Sequence, residues 1–282
     1  MQLTLREQVD RAASHLTANR IADSDVHRAR KCIKKARSTL RLLREALSNA
    51  DYRRINESLR DAARPLSARR DAAVLIEVLQ RVANNKKDPG LRASAEALRR
   101  SLRRELRDIK RSPAALASCR SRLHAESDRI AQLRLPSHAW PVLGRGLKRT
   151  YARGRDAFAR ARDECTDECL HEWRKQAKYL WHQLQLLQPL RPHAIGRRAD
   201  LAHKLSNHLG DDHDLAVLRR KVCEHPAVVR STESGLLATI DKRRSRLQRQ
   251  ALKLGGRMYK EKPGQFQDRF HGYWRQQVNR AE

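Results

Sequence analysis

The chain has 282 residues and carries 62 lysines and arginines against 32 aspartates and glutamates, which gives a formal net charge of +30. Such a charge repels itself, so the composition favours a phosphate polymer, a nucleic acid or an anionic surface as partner over a small neutral ligand. Apolar residues make up 39% and aromatic residues 4% of the chain, and the length permits one large domain or two small ones.

The sequence predicts helices along its whole length, because good helix formers dominate and no run alternates in the manner of a strand. The clearest pattern runs from Val26 to Leu47, where apolar residues recur at alternating spacings of three and four, and Ser24 or Asp25 is expected to cap its start. The other predicted helices, in chain order, cover residues 2–18, 51–63, 65–84, 90–111, 114–134, 142–163, 166–188, 198–208, 211–224, 228–254 and 264–280. Pro65 is expected to open a helix.

The chain contains an internal repeat. Residues 26–43 overlay residues 170–187 at a shift of 144, which aligns the apolar positions of both segments and matches several basic residues. A second block, 66–75, overlays 209–218 at a shift of 143, and Gly90-Leu91 overlays Gly235-Leu236 at a shift of 145. We therefore predict a single domain over residues 1–282, duplicated from halves of about 1–136 and 137–282, each an antiparallel bundle of about four helices.

The first repeated helix carries a stripe of positive charge. Between residues 26 and 44 it has eight lysines and arginines and no acid, arranged in two rows beside the apolar positions: His27, Lys34 and Arg41, and Arg30, Arg37 and Arg44. Like charges in a row repel one another and destabilise a helix. A bound linear polyanion would offset this repulsion. Arginine offers bidentate hydrogen bonds to phosphate and lysine a compact charge. The alternative is a solvated surface face.

These segments resemble the conserved histidine α-helical domain family, CHAD. The resemblance is carried by His27-x-x-Arg30 with Lys34, Arg37 and Arg41, and by residues 66–75, 143–161, 170–187 and 209–218, so that it covers about residues 20–280. It implies an all-α fold of two pseudo-symmetric antiparallel four-helix bundles with a basic groove or pore between them. It also implies non-enzymatic binding of inorganic polyphosphate and location on cytoplasmic polyphosphate granules.

The same resemblance implies the residues that contact polyphosphate. In the first half they are His27, Arg30, Lys31, Lys34, Arg37 and Arg41, and in the second half His171, Arg174, Lys175 and Lys178. The family often has further basic residues where this chain has Tyr179, Trp181 and Gln185, so the second stripe is shorter here. Asp71 and Asp214, at equivalent places in the second repeated block, are expected to brace basic side chains by salt bridges.

Catalytic, cofactor and metal sites are not expected. The chain lacks a glycine-rich phosphate loop, HExxH, GxSxG and the Glu-x-Glu of the triphosphatase domains to which CHAD domains can be fused. Cys165, Cys169 and His171 form the one cluster with any resemblance to a metal site, and their spacing matches no standard zinc pattern.

Two further expectations concern location and partners. The N-terminus lacks the apolar core of a signal peptide, and the longest stretch without a charged residue, 179–190, has 12 residues, whereas a membrane span needs about 18. Five scattered cysteines fit free thiols in a reducing cytoplasm. We expect no membrane partner. Non-specific nucleic-acid binding at low salt is the alternative function, since it needs charge alone.

Overall fold

The structure is a computed structural model that describes residues 1–17, 21–84, 89–109, 112–135, 139–224 and 235–279, with the side chains of 68–70, 89 and 139 left aside. All regular secondary structure in these ranges is helical, which confirms the all-α prediction. No helix in these ranges combines the length and the apolar character that crossing a membrane requires.

Eleven α-helices follow one another in the described part of the chain. They are α1 Gln2–Ser14, α2 Asp23–Leu42, α3 Asn49–Ala63, α4 Ala68–Ala83, α5 Pro89–Asp108, α6 Pro113–Ala131, α7 Ala139–Glu164, α8 Asp167–Leu187, α9 Pro192–Glu224, α10 Gly235–Met258 and α11 Pro263–Val278. Short 3-10 turns occupy Arg44–Ala46, Arg64–Leu66 and Gln188–Leu190. The predicted break at Pro226 and the first part of the predicted helix 228–254 lie outside the described residues.

Several element boundaries differ from the prediction. Helix α2 ends at Leu42. Pro65 lies in the first positions of the 3-10 helix Arg64–Leu66, and the α-helix that it was expected to open begins at Ala68. The two helices predicted at 198–208 and 211–224 form the single helix α9. Gly210-Asp211-Asp212 has the composition of a helix end, but the buried Asp212 accepts hydrogen bonds from Arg244 and Gln248 of α10, both at 3.0 Å. These contacts hold the backbone in the helix across Gly210.

Polar side chains accept backbone N–H groups at the starts of the two basic helices, α2 and α8. The N-cap of α2 is Ala22 and not Ser24 or Asp25, but the Asp25 carboxylate accepts the Ala22 backbone N–H at 2.9 Å from within the first turn, so the predicted capping is confirmed in part. A hydrogen bond from Arg28, followed by that N–H, lowers the pKa of Asp25. At the start of α8 the Thr166 hydroxyl accepts from the N–H of Cys169 at 3.2 Å. Each cap satisfies a backbone donor that the helix leaves unpaired.

The buried apolar residues of the described segments form two cores. The larger core joins α1, α2, α3, α6, α7, α8 and α11 with parts of α9 and α10, and it buries the apolar positions 26–43 of α2 and 170–187 of α8. The smaller core joins α4 and α5 to the C-terminal half of α9 and the start of α10. Both cores take side chains from both sequence halves. The division near residue 136 and the pairing into two bundles stay predictions.

A polar contact sets the position of α2 against α8. The Ser38 hydroxyl donates to the Tyr179 carbonyl at 2.9 Å, and the Gln183 amide donates to the Ser38 carbonyl at 3.2 Å and to the Thr150 hydroxyl at 3.0 Å. Ser38 and Gln183 are fully buried, so moving the helices would leave these groups unpaired away from water. The basic residues of both helices are thereby held in one relative position.

Candidate anion-binding site

A pocket of about 480 Å³ lies where α2 and α8 meet α4 and α9. We call it the basic pocket. Its cationic and histidine side chains are His27, Arg30, Lys31 and Lys34 of α2, His171 and Arg174 of α8, and His213 of α9. Its remaining lining residues are Asp71, Val74 and Leu75 of α4 and Asp214 and Val217 of α9.

Most of this lining comes in pairs that the sequence repeat relates. His27 and Arg30 correspond to His171 and Arg174, and Asp71 and Val74 of α4 correspond to Asp214 and Val217 of α9. The fold therefore brings the two copies of one residue set, far apart in the chain, around a single cavity.

Six of the ten predicted contact residues line the basic pocket, and Arg37, Arg41, Lys175 and Lys178 do not. Arg37 donates to the Asn56 side chain at 3.2 Å. Arg41 donates to the same amide oxygen at 3.4 Å and lies over the Tyr179 ring, 4.0 Å from its centroid. The C-terminal half of the α2 stripe is thus held by Asn56 and Tyr179.

The two second-half lysines outside the lining have partners on their own helix. Lys175 forms an ion pair with Glu172. The Lys178 ammonium lies 4.1 Å from the centroid of the Trp181 ring, and the rings of His203 and His182 stack on that ring at 4.1 Å and 4.5 Å. Both contacts reduce the freedom of these cations, and Lys178 remains within electrostatic range of Lys34 and Arg174.

Arg30 is the most firmly positioned cation of the basic pocket. Its guanidinium donates to the Leu66 carbonyl at 2.8 Å and to the Asp71 carboxylate at 3.2 Å, and its side chain is 14% exposed. The expectation that Asp71 braces a basic side chain is confirmed. At the equivalent place in the second half, burial raises the pKa of Asp214 although the nearby Arg174 acts to lower it.

Lys34 and Lys178, which we call the lysine pair, carry the clearest sign of crowded positive charge. Desolvation, followed by repulsion from Arg30 and Arg174, lowers the pKa of Lys34 to about 8. Desolvation, followed by repulsion from Lys34, Arg174 and Lys31, lowers the pKa of Lys178 to about 8. Both are charged at pH 7 at a cost in free energy, which a bound anion would offset.

Two histidines meet inside the basic pocket. The Nδ1 atoms of His171 and His213 are 3.3 Å apart, and their ring centroids are 4.5 Å apart. Desolvation and the charge of Arg174 lower both pKa values, that of His213 to about 4, so both rings are neutral at pH 7. The two Nδ1 atoms are at hydrogen-bond distance for rings in complementary tautomers.

His213 was missed as a site residue by sequence reasoning. It precedes Asp214 in the second repeated block, at the place that Arg70 holds in the first block. The second repeated block, 66–75 with 209–218, could have pointed to Asp71, Val74, His213 and Asp214 as site residues. It recurs after the second basic helix as it does after the first, so it accompanies the basic residues in both halves of the chain. The side chain of Arg70 lies outside the described part of the structure.

The described residues contain no group of three or more histidines, cysteines and carboxylates arranged to hold a metal ion. Cys165 donates to the Gln248 side chain at 3.8 Å and Cys169 donates to Glu164 at 3.1 Å. The thiols of the candidate zinc cluster thus contact different partners from His171, whose ring faces His213.

One protein-family model, described as CHAD domain, matches residues 3–222 of the chain. No curated protein matches the chain. The matched segment contains every residue that lines the basic pocket, together with Lys178.

Proposed function

This chain belongs to the CHAD domain family, and from that premise we propose that it binds inorganic polyphosphate in the basic pocket between α2 and α8 without converting it chemically. The observation that carries the proposal is the excess of cations over carboxylates there. Arg30, Lys31, Lys34 and Arg174 line the cavity with two carboxylates, and desolvation and repulsion already lower the pKa of Lys34. Such a site gains more from an anion than an open surface does.

The pocket groups have complementary roles toward a chain of phosphates. Arg30, held by the Leu66 carbonyl and Asp71, keeps further N–H donors that can reach phosphate oxygens in a fixed orientation. Lys31 and Lys34 supply point charges. Phosphate oxygens beside the lysine pair would raise its pKa toward the ordinary value, so that binding near pH 8 takes up protons. Neutral His171 and His213 would donate hydrogen bonds and gain charge as the anion approaches.

The two carboxylates of the basic pocket support binding and not phosphoryl transfer. Asp71 accepts from Arg30, and Asp214 lies in the field of Arg174. Metal-assisted phosphoryl transfer uses clustered carboxylates to hold the ion, whereas Asp71 is paired with the Arg30 guanidinium and Asp214 lies in the field of Arg174. The proposal includes a single duplicated domain with halves of about 1–136 and 137–282, and targeting to polyphosphate granules in the cytoplasm through the same site.

The alternative function is non-specific binding of nucleic acid, which the net charge of +30 favours. A polyphosphate chain has no bases or sugars and can enter a cavity of about 480 Å³, whereas a duplex presents its phosphates on a cylinder too wide to enter. We therefore expect long-chain polyphosphate to displace duplex DNA at about 0.15 M salt, where screening weakens surface charge. Equal affinity for both polymers would exclude the proposed function.

A paired substitution tests whether the pocket is the binding site. Arg30→Gln with Arg174→Gln removes two charge-assisted contacts of about 1.5–3 kcal/mol each, so the affinity for polyphosphate should fall at least about a hundredfold. The matched control, Arg100→Gln with Arg104→Gln, removes two exposed charges from α5 and should change the affinity less than about threefold. Circular dichroism checks that both proteins keep their helices. Equal losses would mean that bulk charge binds the polymer.

A further inference from the structure

A second cavity, of about 420 Å³, lies between α4, α9 and α10. Three guanidinium groups border it, those of Arg81, Arg243 and Arg246, and we call it the arginine groove. Its one carboxylate is Asp211, and its floor is apolar, with Val82 and Leu215 buried. Nothing in the proposed function uses this groove.

The positive charge of the arginine groove is poorly neutralised. Arg81 lies 3.8 Å from Asp211, but the two side chains are 60% and 49% exposed, and such surface pairs contribute little. Arg243 donates one N–H to the Arg81 carbonyl at 2.8 Å, and burial together with repulsion from Arg81 lowers its pKa. Arg246 has no hydrogen bond or ion pair within the described part of the chain. Converging guanidinium donors of this kind match phosphate oxygens.

The arginine groove and the basic pocket are consecutive on one face of α4. Asp71, Val74 and Leu75 line the pocket, and Val78, Arg81 and Val82 line the groove. Val78 is three or four residues from Val74, Leu75, Arg81 and Val82, so these residues lie on the same side of the helix. Val74 and Arg81 are seven residues apart, which is about 10 Å along a helix. Charges of the groove also reach the pocket, since Arg81 and Asp211 both act on the pKa of Asp214.

We propose that the arginine groove is a second phosphate-binding site, which takes a further stretch of the polyphosphate chain held in the basic pocket. This inference rests on the proposed function. A ligand that fills the pocket first brings its next phosphates to the groove at high effective concentration, so the second contact adds affinity for long chains only. The groove thereby makes the protein selective for long polyphosphate over short phosphate oligomers.

The test compares tripolyphosphate with a chain of about 100 phosphates on the full-length protein, by calorimetry at about 0.15 M salt. Arg243→Gln with Arg246→Gln should lower the affinity for the long chain about tenfold and leave tripolyphosphate binding within about twofold. The matched control is Arg249→Gln with Arg257→Gln, which removes two exposed charges from α10 outside the groove. It should change neither affinity by more than about twofold.

A second variant guards against misfolding. Arg246→Gln alone touches no hydrogen bond or ion pair of the described residues, and it should lower long-chain affinity about threefold. The inference is overturned if the groove variants behave like the control, or if tripolyphosphate binding falls as much as long-chain binding. Failure of the proposed function looks different, because the unsubstituted protein would then bind long polyphosphate no better than duplex DNA.

Discussion

Replacing Lys34 by methionine should stabilise the free protein while weakening its binding of polyphosphate. The pKa of Lys34 is about 8 instead of 10.5, so keeping Lys34 charged at pH 7 raises the free energy of the native state. The difference corresponds to about 3 kcal/mol before screening. Because Lys34 is exposed to water in the basic pocket, screening reduces this to about 1 kcal/mol. We expect Lys34→Met to raise the unfolding free energy by about 1 kcal/mol and Tm by about 2–4 °C.

With polyphosphate present the same substitution acts in the opposite direction. It removes a charge-assisted contact of about 1.5–3 kcal/mol, so Kd should rise about tenfold or more. Isothermal calorimetry at about 0.15 M salt measures the affinity, and thermal melts with and without polyphosphate measure the linked change in Tm. The control is Lys35→Met, which makes the same charge change one residue further along α2 and outside the pocket lining.

Two results would contradict these expectations for Lys34→Met. Equal loss of affinity in Lys34→Met and Lys35→Met would show that the net charge of the helix, and not the pocket, attracts the polymer. A lower Tm for Lys34→Met without ligand would show that the charge of Lys34 does not destabilise the native state.

Three further outcomes follow from the structure. A Cβ at Gly146 would lie 2.0 Å from the Leu42 carbonyl oxygen, so Gly146→Ala should lower the unfolding free energy by about 3 kcal/mol or more in urea denaturation. The control Gly256→Ala, with open space around the new Cβ, should not lower it. Equal urea midpoints for the two variants would contradict the close approach of α7 to α2. Arg41→Gln should change polyphosphate affinity less than about threefold because Arg41 lies on Tyr179, and a tenfold loss in titrations would show that the ring releases it on binding. The lysine pair has pKa values of about 8, so polyphosphate affinity should fall between about pH 7 and pH 9. The unfolding free energy of the free protein should rise as the pH increases through 8 toward 10.5, because lysines of the unfolded chain keep their protons to higher pH. Calorimetry and denaturation at each pH measure the two quantities, and a change of both in the same direction would refute the prediction.

Family membership and the helical class followed from short-range features of the sequence. Helix-forming residues and apolar spacings of three and four act within one or two turns, so α2 and α8 could be predicted before any contact was known. The basic stripe and the repeat were equally visible, and they led to six residues of the basic pocket. The break predicted inside α9 was wrong because Gly210 suggests a helix end locally, while the contact that continues the helix comes from Arg244 of α10.

What the sequence by itself determined is the set of charges available to the site and the helices that carry them. Which charges converge was decided by tertiary packing. The Ser38–Tyr179 contact sets α2 against α8, so Arg30 and Lys34 enter the basic pocket, while Arg41 meets Tyr179 instead. The pairing of His171 with His213 likewise depends on α8 and α9 lying side by side. Helical periodicity assigns a residue to a face, but the partner of that face is a long-range property that only the packed core defines.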